Sequence, residues 1–267
     1  MKKLILSVVL CGLTFAAFCQ KSEVRSVSGF TGIEASSVFH ITVSKGNAES
    51  LTIETDEAVM PQVRCEVKNG VLHLFLANRH TFKNSKPVNA SIVMKELNTV
   101  QLSGACHILI KDVFTSKSFK VECSGASNCE AVAGIKASTL DIDLSGSSHL
   151  KLKAEAENAK IEGSGAPNID ISVQAENLNL DFGGSANVKL VGKVDNLSID
   201  SSGASKIDAV GLEANSVNVE TSGASSINVF ATERLKVESS GASSIGYKGS
   251  PSIEMDSSGA SKIRQIK

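Results

Sequence analysis

A short signature, Ser-Gly-Ala-Ser-x-Ile with variants, returns nine times between residue 103 and the C-terminal end of this 267-residue chain. Its glycines are Gly104, Gly125, Gly146, Gly165, Gly184, Gly203, Gly223, Gly241 and Gly259, at intervals of 21, 21, 19, 19, 19, 20, 18 and 18 residues. A unit of that length cannot bury a core alone. It suits one coil of a solenoid, whose core exists only once coils stack.

Counting from each glycine exposes the strand pattern. Four residues after it stand Ile108, Cys129, Leu150, Ile169, Val188, Ile207, Ile227, Ile245 and Ile263. Four residues before it stand Val100, Val121, Ile142, Ile161, Leu180, Ile199, Val219, Val237 and Met255. Even offsets are apolar and most odd offsets polar, the alternation of strands with one buried face. The predicted fold is all-β: a right-handed parallel β-helix, or β-solenoid, of about nine coils of 18–21 residues over 98–267. The Gly-Ala-Ser step is its corner, with glycine supplying backbone freedom.

Residues 20–97 lack the signature but carry alternating or continuous apolar runs, such as Val38–Val43 and Val71–Leu76, split by turn residues such as Lys68-Asn-Gly70. They are expected to form an antiparallel or irregular β-rich region that caps the N-terminal end of the stack. Asn78 to Pro87 reads as a polar loop. At the opposite end, the exposed coil is either charged by Lys262, Arg264 and Lys267 or paired with another subunit, a homo-oligomer through the C-terminal end.

Residues 1–19 read as a secretory signal peptide: Lys2 and Lys3, an apolar stretch from Leu4 to Phe18, and small residues Ala17 and Cys19 before a cut ahead of Gln20. A lipid anchor would need a small residue directly before its cysteine, and Phe18 and Leu10 stand there instead. No other apolar run approaches the roughly 20 residues that span a bilayer. The mature chain is therefore expected to be exported and not membrane-spanning, placed in the periplasm, on the outer-membrane surface or outside the cell. A net charge of −1 gives no footprint for nucleic acid. With no Trp and a single Tyr, Tyr247, there is no aromatic platform for stacking sugars. Cys65, Cys106, Cys123 and Cys129 match neither a disulfide framework nor a zinc site, and Cys129 reads as a small buried hydrophobe.

Three stretches together resemble a known bacterial family. They are Arg25-Ser-Val-Ser-Gly-Phe-Thr-Gly-Ile33, then Glu54-Thr-Asp-Glu57 with Val67-Lys-Asn-Gly-Val-Leu72, then the onset of repeats at Leu102-Ser-Gly-Ala105. The family is the "putative auto-transporter adhesin, head GIN domain" group, and the resemblance covers roughly residues 25–250. It implies a secreted β-solenoid of Bacteroidetes-type bacteria and brings no functional residues to carry over.

The column that most invites a functional reading lies three residues before each glycine. It runs Gln101, Glu122, Asp143, Glu162, Asp181, Asp200, Glu220, Glu238 and Asp256, acidic at all but the first position. Like charges stacked on neighbouring strands repel. Either the row binds a hard cation such as calcium or a basic partner, or its carboxylates cap the Ser-Gly-Ala corner and pair with Lys120, Lys160 and Lys236. A second column, five residues after the glycine, alternates in sign (Glu130, Lys151, Asp170, Lys189, Asp208) and reads as a register-setting charge ladder. His107 and His149 stand two coils apart with Asn128 between them, too far for a shared metal. The serines before the glycines form a uniform column, whereas a nucleophile needs one base and one oriented acid.

No catalytic residue, metal site or cofactor is thus expected. The leading expectation is a non-enzymatic binding or adhesion-type module at the cell envelope, its partner a cell-surface glycan or protein. A periplasmic structural or envelope-stress scaffold is the alternative, and a polysaccharide-active β-helix enzyme comes third.

Overall fold

In the computed structural model, which describes residues 20–78 and 87–266, successive coils lie in parallel register and build a β-solenoid of about nine turns. The predicted signal peptide and most of the predicted polar loop fall outside the described residues. From the second signature glycine onward, each coil is essentially one long strand bent around the core. Such strands are β11 (Asn128–Leu144), β12 (His149–Gly163), β13 (Asn168–Phe182), β14 (Asn187–Ser201), β15 (Lys206–Thr221) and β16 (Ser226–Ser239). Parallel pairing carries residue onto equivalent residue: Leu150 sits on Ile169, then Val188, then Ile207. These columns are buried to 3% exposure or less, so the period-two pattern does become a continuous apolar ladder.

The parallel ladder begins earlier than the first signature. Strands β2 (Gly32–Ser37) and β3 (Phe39–Lys45) lie in register on β8 (Thr99–Gly104) and β9 (His107–Ile110), with Ile33 on Val100, Ser37 on Gly104 and Ile41 on Ile108. Ser37 occupies the signature-glycine position and adopts its left-handed backbone, at φ 89°. The stack then extends one coil further, through β6 (Val71–Leu76) on β2 and β7 (Val88–Met94) on β3, both parallel. Coil 32–45 is therefore sandwiched between two coils that follow it in sequence. Only the outermost strands are antiparallel: β5 (Val63–Lys68) on β6, β4 (Ser50–Asp56) on β7 and β1 (Gln20–Arg25) on β4.

The corner glycines do more than loosen the backbone. Gly104, Gly125, Gly146 and Gly165 have φ between +71° and +82°, yet Gly184, Gly203, Gly223 and Gly241 do not appear among the positive-φ glycines. What every one of them shares is closeness to the coil below. A Cβ on Gly125 would stand 2.7 Å from the Gly104 carbonyl oxygen, and one on Gly203 would stand 1.9 Å from that of Gly184. The same carbonyls accept the next coil's alanine amides, Ala126 N to Gly104 O at 2.8 Å and Ala204 N to Gly184 O at 2.9 Å. Glycine is needed so that coils can touch at the corner at all.

Inside the later corners the packing changes from apolar to hydroxyl. The inward residue two before the glycine passes from Leu144 and Phe182 to Ser201, Thr221 and Ser239. Each meets a serine two after the next glycine: Ser201 Oγ to Ser225 Oγ at 2.7 Å, Thr221 Oγ1 to Ser243 Oγ at 2.9 Å, Ser239 Oγ to Ser261 Oγ at 2.6 Å. Those serines donate in turn to the glycine carbonyl below, Ser225 to Gly203 at 3.2 Å and Ser243 to Gly223 at 3.1 Å. Buried hydroxyls cost little when satisfied this way.

Two predictions follow from the corner. Gly203→Ala should lower stability by about 2 kcal/mol or more, since an added methyl forces coils apart. Gly183→Ala beside the corner of the coil below, where a Cβ has only Ser202 Oγ at 3.9 Å, should be nearly neutral. Thermal and denaturant melts of the two variants distinguish them. Ser225→Ala should cost about 1–2 kcal/mol, because it strips the Ser201 hydroxyl of its partner.

Candidate functional site

The acidic column is a single in-register row on the outer face. Pairing places Glu122 on Asp143, then Glu162, Asp181, Asp200, Glu220, Glu238 and Asp256. The row also extends past Gln101 to Glu34 and His73, with Glu66 of antiparallel β5 opposite His73, none of which the signature could flag. His73 Nδ1 lies 3.1 Å from Glu34 Oε2, and Gln101 Nε2 donates to Glu122 Oε2 at 2.6 Å.

Charge balance along the row is uneven. Lys120, Lys160 and Lys236, each two residues before an acid on the same strand face, pair with Glu122, Glu162 (2.8 Å) and Glu238 (2.6 Å). The lysine beside Glu122, with Gln101, holds that carboxyl below the ordinary range. At Asp200 the i−2 residue is Ser198, and no cation compensates. Partial desolvation, then the neighbouring Asp181 and Glu220, push its pKa up. The corner amides do not turn to these carboxylates. Ser124 N and Ser145 N donate to the carbonyls of Leu102 (2.9 Å) and Cys123 (2.8 Å) in the coil below. Lysine pairing thus accounts for three of the acids, and corner capping for none of these examples.

Between the acidic row and the serines that precede the glycines run open grooves. One of about 460 Å³ lies beside Glu34, Glu122 and Asp143 with Ser103, Ser124 and Ser145. Another of about 380 Å³ lies beside Asp200, Glu220 and Asp256 with Ser222, Ser240 and Ser258. Both are lined by carboxylates and hydroxyls and open to solvent, which suits hydrogen bonding to a surface rather than enclosure of a small molecule. Among the described residues, no three His, Cys, Asp or Glu side chains converge as a metal site.

The other singled-out residues are placed as follows. Glu130, Lys151, Asp170, Lys189 and Asp208 are in register with alternating sign. Closed cross-coil ion pairs appear instead near the far bend, Lys136 with Glu155 at 2.6 Å and Lys193 with Glu213 at 2.9 Å. Asn128 does separate His107 from His149. The neighbour of His107 is His40 of the early coil, with ring centroids 5.8 Å apart, a contact visible only once coil 32–45 is in place. Cys129 is buried at 1% exposure and hydrogen-bonds with buried Cys123, which shares its corner. Burial pushes the Cys106 thiol up, and the Cys65 thiol to about 11, so both stay protonated and unreactive near neutrality.

Comparison with known proteins gives this architecture its relatives. The sequence model of the family described as "putative auto-transporter adhesin, head GIN domain" matches residues 29–172 and 153–251. The chain belongs to this family. Among solved structures, an adhesin-titled protein from Parabacteroides merdae superimposes with a TM-score of 0.73 at 17% identity, covering 93% of this chain and 96% of that one. A protein from Parabacteroides distasonis described as a "putative lipid binding protein" gives a TM-score of 0.68 at 21% identity, with coverage of 93% and 97%. A second adhesin-titled protein from that organism gives 0.73 at 18% identity, with coverage of 94% and 98%. At such identities the likeness is one of fold. No curated protein matches the chain. No helix among the described residues is long and apolar enough to cross a membrane.

The raised pKa at Asp200 has a testable sign. A carboxyl whose folded pKa exceeds its unfolded one destabilises the fold when ionised, and that penalty fades as pH falls through the raised value. Asp200→Asn should therefore raise Tm slightly at pH 7. The gain over wild type should shrink steadily on acidification, as a pH series of melts would record.

Proposed function

We propose that this family member is an exported, non-enzymatic binding module that meets a basic protein surface at the cell envelope through its acidic face. The observation that carries this reading is the in-register row from Glu34 to Asp256. At a strand spacing of about 4.8 Å it spans roughly 40–45 Å. Carboxylates and serine hydroxyls recur along it coil after coil. Repetition of this kind builds an extended contact surface, with many weak, equivalent interactions adding along its length. The adhesin descriptions of the family and of two structural neighbours support a binding role of this class.

Protease shaving of intact cells carrying an epitope-tagged copy tests the location. The expected result is loss of the tag while a periplasmic control stays protected. Protection until the outer membrane is breached would remove the adhesion reading and leave an envelope scaffold. For the face itself, neutralising Asp181, Asp200 and Glu220 together should abolish capture by envelope material while the chain still melts cooperatively. Millimolar calcium should leave the wild-type Tm unchanged. A calcium-dependent rise that the triple variant abolishes would reassign the row to cation binding.

A further inference from the structure

Strands β18 (Ser252–Ser257) and β19 (Lys262–Gln265) form the coil furthest from the N-terminal cap. Among the described residues each is paired on one side only, to β16 and to β17 (Ser244–Lys248) respectively. Its inward residues are correspondingly uncovered, with Ile253 43% and Met255 42% exposed where the equivalent residues one coil earlier, Leu235 and Val237, are fully buried. An apolar step of this kind beside two open strand edges is a surface built to be covered.

We infer that this coil is a two-fold interface that seats a second copy of the same chain, coil against coil, about an axis through the Gly259 corner. The reason is a self-complementarity in the sequence around that glycine. A two-fold through the corner exchanges the strand that enters it with the strand that leaves it, so β18 lies antiparallel to the partner copy's β19. A residue n positions before Gly259 then faces the residue n positions after it. Outward, this sets Asp256 against Lys262 and Glu254 against Arg264, acid against base at both positions and twice per dimer. Inward, it sets Met255 against Ile263 and Ser257 against Ser261. A chain with like charges at equal distances from the corner could not close on itself this way.

The backbone agrees with the same register. Ser258 N, Ala260 N, Lys262 N and Ile266 N all donate to the coil below, at 2.8–3.0 Å. Along a strand the amide and carbonyl directions alternate. The free groups on the open edge therefore belong to the intervening residues, Ile253, Met255 and Ser257 before the corner and Ser261, Ile263 and Gln265 after it, with Ile253 set against Gln265. These are the residues that the two-fold brings opposite each other. Met255 and Ile263 become a hydrogen-bonded pair over the apolar step. The two charge pairs fall at non-hydrogen-bonded positions, where cross-strand side chains approach most closely. The inference is independent of what the acidic face binds.

Sedimentation equilibrium of the purified protein tests it. The wild type should be a dimer in the micromolar range. Lys262→Glu places acid against acid at two equivalent sites and should weaken association by about tenfold or more. Adding Asp256→Lys to it should restore association, because the pair is rebuilt with its signs exchanged. Far-UV circular dichroism and the melt should be alike in all three. Placing cysteines at Glu254 and Arg264 together should allow a short bis-maleimide to link two chains, and either cysteine alone should not. A wild type that stays monomeric at high micromolar concentration would overturn the inference. So would a dimer indifferent to Lys262→Glu, or one in which the double-cysteine variant fails to cross-link.

Discussion

The rest of the molecule depends on one approach of backbone to backbone. At each corner a glycine lies so close to the glycine below that a single methyl would stand about 2–3 Å from a carbonyl oxygen. With that approach in place, the amide of the following alanine or serine reaches the same carbonyl, and the flanking strands are locked in register. Once register is fixed, side-chain columns are fixed too. Apolar residues fall on apolar residues without any coil needing a core of its own. Folding energy in such a stack comes chiefly from neighbouring coils, so a break at one corner is felt by the coils on either side.

This explains which parts of the fold could be read from the chain beforehand. From Gly104 onward, the spacing of one residue type located every corner and hence every inward column. The coil at 32–45 escaped because its corner holds Ser37, which accepts the left-handed backbone at the boundary of the regular stack. The apolar positions were present all the same: Ile33, Ala35, Phe39 and Ile41 stand at the inward offsets, and Glu34 at the acidic one. Coil 71–94 was harder still, since no signature stands between Leu76 and Val88 and the coil stacks outside one that precedes it in sequence. No period reports an order in space that differs from the order along the chain.

The buried serines illustrate a second gap. Ser225, Ser243 and Ser261 sit at an inward offset but carry a polar atom, and a rule that sorts residues by polarity assigns them to the surface. Their burial is legible only jointly with the hydroxyls at Ser201, Thr221 and Ser239, which arrive from the coil below. With these hydroxyls in place of Leu144 and Phe182, the later corners are held by side-chain bonds as well as by backbone.

The outward columns carry the functional argument because folding treats them so differently. Glu130, Lys151, Asp170, Lys189 and Asp208 alternate in sign, the arrangement that stacking at about 4.8 Å favours. The acidic row sits on the same strands with the same spacing and does not alternate. Lysines relieve Glu122, Glu162 and Glu238, but Asp200 remains beside Asp181 and Glu220, and its pKa is raised first by partial desolvation and then by those two neighbours. A chain shaped only by the needs of its own stack had the better solution available one column away. The row keeps its like charges in register beside grooves lined with hydroxyls, and the three lysines offset only part of that cost to the stack.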